Sequence, residues 1–395
     1  MLKTLFATTA LVAVAMTAPA HAQTKEPLKI GVLMPTTGVF AVLGLEQLKG
    51  MRYAVAEAGG EVAGRKIELI IEDDQGAPGT GLTKARKLVT SDNVDVTAGI
   101  ISSAVALAVI PYLSSIKMPL VISNATTDEL SGAKCSPYVF RTSYSSSQMS
   151  EPLGDYMGKK GIKTLYLMAA DYVAPREHLA AVRRTYLKQG GKIIGESYPP
   201  FAKTQDYGPY IAQARSSGAQ ALLPIFYASE AILFMKQYSS FGLQKTLPVY
   251  GSSGLVNPVL LGALGDAALG VDSVTNYVPE IDTPENKAFV ENWRKAHAGN
   301  DPEDFAVTAY DSIRFILEAV KALNGNTKDR DAFAAAISKV KYNSPRGPIS
   351  IGKTNTVSQN IYIARTVKRG EKIGYEILDT YKNFEDPIEG CNLRK

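Results

Sequence analysis

An α/β fold of two sheet-and-helix lobes, between which the chain crosses more than once, is predicted for this 395-residue chain. Strand-like and helix-like segments alternate regularly from Leu28, and the alternation restarts at Gln148. The last stretch, from Gly347, changes to antiparallel patterns. Repeated β-α-β units imply a parallel sheet with helices on both faces. A second set with its own apolar positions implies a second lobe. Late helices and a late hairpin, shared between the two, imply a chain that crosses between lobes more than once.

In order, strands are predicted at Leu28–Met34, Arg65–Glu72, Val94–Ile101 and Pro119–Ser123, with helices over Leu45–Ala58 and Gly79–Ser91. An Ala/Val/Leu segment of helical periodicity follows Ser102-Ser103. The second unit reads as helix Gln148–Lys160, strand Thr164–Met168, helix Val173–Gln189 and strand Lys192–Ser197. Strands Ala219–Ile225 and Leu247–Tyr250 follow, with helices Tyr207–Ser217 and Ser229–Phe241 between them. After an apolar run at Leu269–Tyr277, Thr283 reads as an N-cap with Pro284 at the first helical position. Helices Pro284–Ala298, Asp304–Leu323 and Lys328–Val340 lead to strands Gly347–Ile351, Gln359–Val367 and Lys372–Thr380. Lys368-Arg369-Gly370-Glu371 is a hairpin turn between the last two. Crossings are expected at Arg141–Ser147, Asp272–Val278 and Ser350–Asn360. The predicted division is residues 23–143 plus 276–352 for lobe 1, and 144–275 plus 353–395 for lobe 2.

Residues 1–22 have the order of a secretory signal peptide: Lys3, apolar Leu5–Met16, then Ala20-His21-Ala22. The apolar part is too short for a permanent membrane helix, and no later run approaches about 20 apolar residues. Cleavage near Ala22 would start the mature chain near Gln23 and, by removing Lys3, lower the net charge from +5 to +4. Basic residues are scattered, so nucleic acid is not an expected partner. Cys135 and Cys391 are the two cysteines. In an oxidising compartment they suggest one disulfide, the alternative being two free buried thiols.

The apolar runs Val94–Ile101 and Pro119–Ser123 both end in small hydroxyl residues: Ser102-Ser103 on one side, Ser123, Thr126 and Thr127 on the other. In a parallel sheet the carboxyl ends of strands and the N-termini of following helices share one rim. Free backbone N–H groups and hydroxyls there suit an anion without any Arg or Lys. Helix capping is the plainer reading of the same residues.

Several motifs are similar to the solute-binding proteins of ABC importers, in the branched-chain amino-acid receptor family. Ile30-Gly31-Val32-Leu33 leads to Pro35-Thr36-Thr37-Gly38 and Gly44; Glu72-Asp73-Asp74-Gln75-Gly76-Ala77-Pro78, Asp282-Thr283-Pro284-Glu285 and Ala309-Tyr310-Asp311 follow. The resemblance implies the type I periplasmic-binding fold, an α/β fold of two Rossmann-like lobes joined by a three-crossover hinge, with no catalysis and no cofactor. It also implies a periplasmic location, a permease partner in the inner membrane and a monomeric receptor. Lys134-Cys135-Ser136-Pro137-Tyr138, Ser344-Pro345-Arg346-Gly347-Pro348, Gln359-Asn360-Ile361-Tyr362 and Cys391 resemble a branch that binds aromatic carboxylates. That resemblance also supports the Cys135–Cys391 disulfide. Tyr144 keeps the branch's aromatic, whereas Ser145-Ser146-Ser147 departs from its amide-containing run.

Carried over, the family's carboxylate site falls on Ser102, Ser103, Ala104, Ala125 and Thr126, with Tyr172 and Tyr227 closing from the second lobe. Leu43 stands where the family often has an aromatic lid. In amino-acid receptors an acidic residue in the turn Gly-x-Glu-Gly pairs with the ligand ammonium; here the turn is Gly251-Ser252-Ser253-Gly254. With Ser253 in that place, a buried ammonium has no counter-charge, which costs several kcal/mol. The pocket is expected to prefer an aromatic or short aliphatic acid, unless Asp171 or Glu230 supplies the charge. Both acids also read as features of helix starts. A branched-chain amino-acid receptor is the second reading, and a sensor not coupled to a permease the third.

Enzyme signatures fail. His178 and His297 sit in predicted helices among charged neighbours, which reads as surface positions rather than a metal pair. The phosphate-loop-like Gly76–Thr83 has Leu82 where lysine is required. Gly251–Gly254 is one residue short of a nucleophile elbow. Asp73-Asp74 reads as a solvated turn rather than a metal pair.

Overall fold

The computed structural model describes Met1, residues 25–391 and residue 393; the expected leader and its cleavage point lie outside that range. Strand β1 (Leu28–Leu33), helix α1 (Ala41–Glu57), strands β2 (Glu61–Val62) and β3 (Arg65–Glu72), helix α2 (Pro78–Thr90) and strand β4 (Val96–Gly99) come first. Helix α3 (Ser103–Ser115) and strands β5 (Leu120–Ile122) and β6 (Val139–Arg141) follow. They form one sheet in the order β2-β3-β1-β4-β5-β6, parallel throughout except for β2. Its inner strands β4 and β5 are buried on both faces because helices cover both.

The second lobe contains α4 (Ser146–Lys159), β7 (Thr164–Ala169), α5 (Val173–Lys188), β8 (Lys192–Ser197), α6 (Gly208–Ser216), β9 (Ala221–Ile225) and α7 (Ala228–Ser240). Strand β10 (Tyr250–Ser252), helices α8 (Ser253–Val256) and α9 (Pro258–Leu264) and strand β11 (Asp272–Thr275) complete its first pass. The parallel trio β8-β7-β9 adjoins the next sheet through a bridge between Leu222 and Val249. Helices α10 (Pro284–Ala296), α11 (Asp304–Ala322) and α12 (Arg330–Ile337) return to the first lobe, where α11 packs along α1. Strands β12 (Lys341–Ser344), β13 (Gly347–Ile351), β14 (Val357–Arg369) and β15 (Lys372–Phe384) end the chain's regular structure. Strand β14 joins β11, β13 and β15, all antiparallel.

The Thr283 side chain accepts from Asn286 N at 3.2 Å with Pro284 in the first turn, as the N-cap reading requires. The hairpin turn closes on the pair Arg369–Lys372, with Gly370 at φ +63°. Strand Leu247–Tyr250 is displaced: β10 starts at Tyr250, because Pro248 has no amide to give a ladder. Strands β2, β6 and β12 and helices α8 and α9 carry no pattern of their own in the sequence. They are two to seven residues long, and their neighbours, not their periodicity, make them regular.

Three chain passages between the lobes meet at one buried hydrogen-bond centre. The Arg346 guanidinium pairs with Asp311 at 2.5 Å, both side chains fully buried, and donates to Thr142 O and to Gln359 Oε1. Gln359 Nε2 donates to Ser143 O at 2.6 Å, and Asn276 Nδ2 reaches Gln359 Oε1 at 3.3 Å. Thr142–Ser143, Asn276 and Gln359 belong to the three predicted crossings. Beyond Phe384 the tail turns back: Asp386 pairs with buried Arg141 at 3.3 Å, and Cys391 is bonded to Cys135.

His178, read from the sequence as a surface residue, is buried in α5; Ser150 Oγ meets its Nδ1 at 2.5 Å. Burial pulls its pKa from 6.5 to about 3. The unfolded chain therefore takes a proton below pH 6.5 that the folded chain refuses until about pH 3. This term leaves stability untouched above pH 6.5 and lowers it as pH falls, by about 1.4 kcal/mol per unit. Between pH 7 and pH 5 the native protein is expected to lose about 2 kcal/mol more than His178→Gln in urea unfolding. Equal losses would contradict this account of the acid limb.

Candidate functional site

The first lobe offers one wall of the interlobe cleft at the carboxyl ends of β4 and β5. Strand β4 leaves the sheet through Gly99, at φ +110°; a Cβ there would lie 2.3 Å from Leu33 O. Ile100 follows at φ +68°, a left-handed conformation rare for a β-branched residue. That turn delivers Ser102 and Ser103 to the start of α3, and both line the cleft. Ser102 is the N-cap. Ser103 Oγ accepts from Thr126 N and Thr127 N, each at 3.2 Å, which clasps the β5 end against the β4 end. Asn124 and Thr126 complete this wall.

Other hydroxyls at the strand ends are engaged elsewhere. Ser123 Oγ donates to Gln47 Oε1 at 2.5 Å, and Thr127 Oγ1 to Glu177 Oε1 at 2.8 Å. Ala104 is exposed, and Ala125, whose amide donates to Ile100 O at 3.0 Å, is buried behind the wall; neither lines the cleft. Serines 145, 146 and 147 face structure as well. Ser145 caps α4, Ser146 Oγ bonds Thr126 O, and Ser147 Oγ bonds Asp128.

The opposite wall is aromatic. Tyr172 and Tyr227, the residues before α5 and α7, both line the cleft. Tyr144, from the first crossing, joins them. Burial pushes all three phenols well above the ordinary tyrosine range, so they stay neutral hydrogen-bonding groups. Gly254 holds Tyr227 in place, since a Cβ there would meet its ring at 2.1 Å. Leu43, Phe40 and Phe305 add an apolar part to the lining.

The lobes touch across this space. Phe40 of the first lobe stacks on Phe201 of the second, with ring centres 5.9 Å apart, and Phe201 packs on Tyr172 at 4.3 Å. Glu177 accepts from Asp128 N at 3.0 Å as well as from Thr127. Sequence reading placed only Leu43 in the apolar part of the lining. Phe40 was missed because the family's lid position falls three residues later, and Phe201 because it lies in a loop without periodicity.

Asp171 is exposed and paired with Arg176 at 2.6 Å, and Glu230 accepts from Ala202 N at 2.9 Å. Neither lines the cleft. Ser253 is buried at the start of α8, close behind Tyr144, rather than in the lining. An acid that sequence reading missed lies beside it: Asp304, 2% exposed, at the first turn of α11. Glu303, before it, caps that helix by accepting from Phe305 N and Ala306 N at 2.9 and 2.5 Å. Asp-Pro-Glu-Asp in a sequence reads as a helix start favoured by its dipole. Nothing in it tells that both acids are buried between lobes.

A wall of neutral donors opposite a wall of tyrosines can hold a planar anion: the hydroxyls meet the charge and the rings cover the body. Each hydrogen bond to a charged group adds about 1.5–3 kcal/mol. Among the described residues no helix is long and apolar enough to cross a membrane.

Residues 27–371 match the periplasmic binding protein family. The chain is 32% identical over 375 residues to the Leu/Ile/Val-binding protein homolog 6 of Brucella suis, covering 93% of this chain and 95% of that one. A solute-binding protein of an ABC transporter from Rhodopseudomonas palustris, solved with 3,4-dihydroxybenzoic acid, superposes with a TM-score of 0.86 at 32% identity, over 92% of this chain and 99% of that one. A second from R. palustris, solved with 4-hydroxybenzoate, gives 0.86 at 30% identity, over 92% and 98%. With its two sheet-bearing lobes, its cleft at the strand ends and this kinship along nearly its whole length, the chain belongs to the periplasmic binding protein family, as a solute-binding protein of the ABC-transporter kind.

Proposed function

We propose that this protein captures a small aromatic acid between its lobes and presents the closed form to an ABC permease of the inner membrane. The observation that carries the reading is the pairing of walls: Ser102, Ser103 and Thr126 on one side, Tyr144, Tyr172 and Tyr227 on the other. The carboxylate meets the first and the ring stacks among the second. The similar proteins solved with hydroxylated benzoates support the same class. The export-type leader read from residues 1–22 supports a periplasmic setting for this work. The protein acts as a monomeric receptor and not as an enzyme; binding and closure are its whole task.

A thermal-shift panel tests this. Benzoate and hydroxybenzoates at about a hundred times their Kd add about 2.7 kcal/mol to folded-state stability, enough to raise Tm by several degrees. Leucine and valine are expected to leave Tm unchanged. Stabilisation by leucine or valine, with none by the benzoates, would overturn the reading. A branched-chain amino-acid receptor is the second reading, and the buried carboxyl of Asp304 beside Ser253 is the observation that favours it.

A further inference from the structure

We propose that Asp304, with Ser253, forms a second polar subsite that receives a ring hydroxyl of the ligand, across the ring from the carboxylate. The proposal rests on the aromatic-acid reading and adds what the acid must carry. Asp304 and Ser253 are 2% and 5% exposed and lie within reach of each other, yet neither Asp304 carboxyl oxygen nor Ser253 Oγ makes a well-formed hydrogen bond. Buried polar atoms in folded proteins nearly always have one. Two neighbouring buried groups from different lobes, close together but without well-formed hydrogen bonds, mark a place that a guest completes.

The carboxyl lies just behind the cleft lining rather than in it. Its field reaches the hydroxyls of Tyr144 and Tyr227, which line the cleft, and the next residue, Phe305, is part of the lining. It makes no hydrogen bond to Ser102, Ser103, Asn124 or Thr126. The ammonium of an α-amino acid is attached one carbon from its carboxylate and stays beside that rim. A hydroxyl on the far side of a ring reaches past the tyrosines instead.

The neighbouring acid favours a hydroxyl as well. Glu303 and Asp304 are buried side by side; desolvation raises the proton affinity of both, and the charge of Asp304 raises that of Glu303 further. Such a pair tends to keep a proton. A hydroxyl donates and accepts, so it can satisfy a carboxyl in either state and the Ser253 hydroxyl too. An ammonium only donates, and needs the ionised form.

Titration calorimetry with benzoate and 4-hydroxybenzoate tests the assignment. The native protein is expected to bind 4-hydroxybenzoate at least about tenfold more tightly than benzoate, the worth of one hydrogen bond to a charged group. Asp304→Ala should bring that ratio close to one while benzoate affinity stays within about threefold, which also reports an intact fold. Should Asp304→Ala fail to fold, the isosteric Asp304→Asn keeps one acceptor oxygen, and the ratio should fall severalfold. An unchanged ratio in a variant that binds benzoate would overturn the subsite and leave the aromatic-acid reading standing. It would mean that the two carboxyls share a proton for structural reasons alone. Tight leucine binding that Asp304→Asn abolishes, with no benzoate binding, would overturn both.

Discussion

Arg346→Ala is expected to destabilise the protein by about 3–5 kcal/mol, the cost of leaving the partner of a buried ion pair alone. Asp311 would be stranded fully buried; Ser344 and Tyr342 donate to it, but neither carries a positive charge. The loss would reach all three interlobe passages, since the same guanidinium holds Thr142 O and Gln359, and Gln359 holds Ser143 and Asn276. Urea unfolding measures it. Arg346→Met, which replaces the stem but not the charge, should lose nearly as much. A loss below about 1 kcal/mol, the range of an exposed pair, would contradict a central role for this cluster.

The second large effect belongs to the disulfide. Cys135 and Cys391 are separated by 256 residues, so the bond closes a loop over most of the chain. Chain-entropy reasoning puts the stabilisation from so long a loop at about 5 kcal/mol, and measured cases are commonly about 2–4. Cys135→Ser with Cys391→Ser is therefore expected to lower unfolding free energy by about 2–5 kcal/mol. The tail should also loosen, weakening the contacts of Asp386 with Arg141, Ser145 and Thr354. Calorimetric unfolding of oxidised, reduced and double-serine protein checks this. Equal midpoints in all three would contradict it.

Long elements were legible in the sequence because their apolar period repeats. The nineteen residues of α11 bury fifteen side chains, and the pattern announces itself. Short strands such as β6 are regular because β5 lies alongside, which no local signal encodes. The wall at the ends of β4 and β5 was legible from hydroxyl residues after apolar runs. Which hydroxyls face inward was not: Ser123 turns to Gln47, and Thr127 to Glu177. The apolar part of the lining and the acid are the instructive failures. Phe40 is brought to the cleft by contact with Phe201, 161 positions later in the chain, and Asp304 by a helix that returns from the other lobe. Contacts between distant segments decide both, and a single sequence carries no record of them. The turn itself carries Ser253 in place of an acid, and Asp304 stands beside it from another element.

The most direct measurement of the central claim is a crystal structure grown with 4-hydroxybenzoate. The account predicts the carboxylate against Ser102, Ser103 and Thr126, the ring between Tyr172 and Tyr227, and the hydroxyl toward Asp304. A ligand held outside the interlobe cleft, or one whose carboxylate lies away from the β4 and β5 ends, would contradict it.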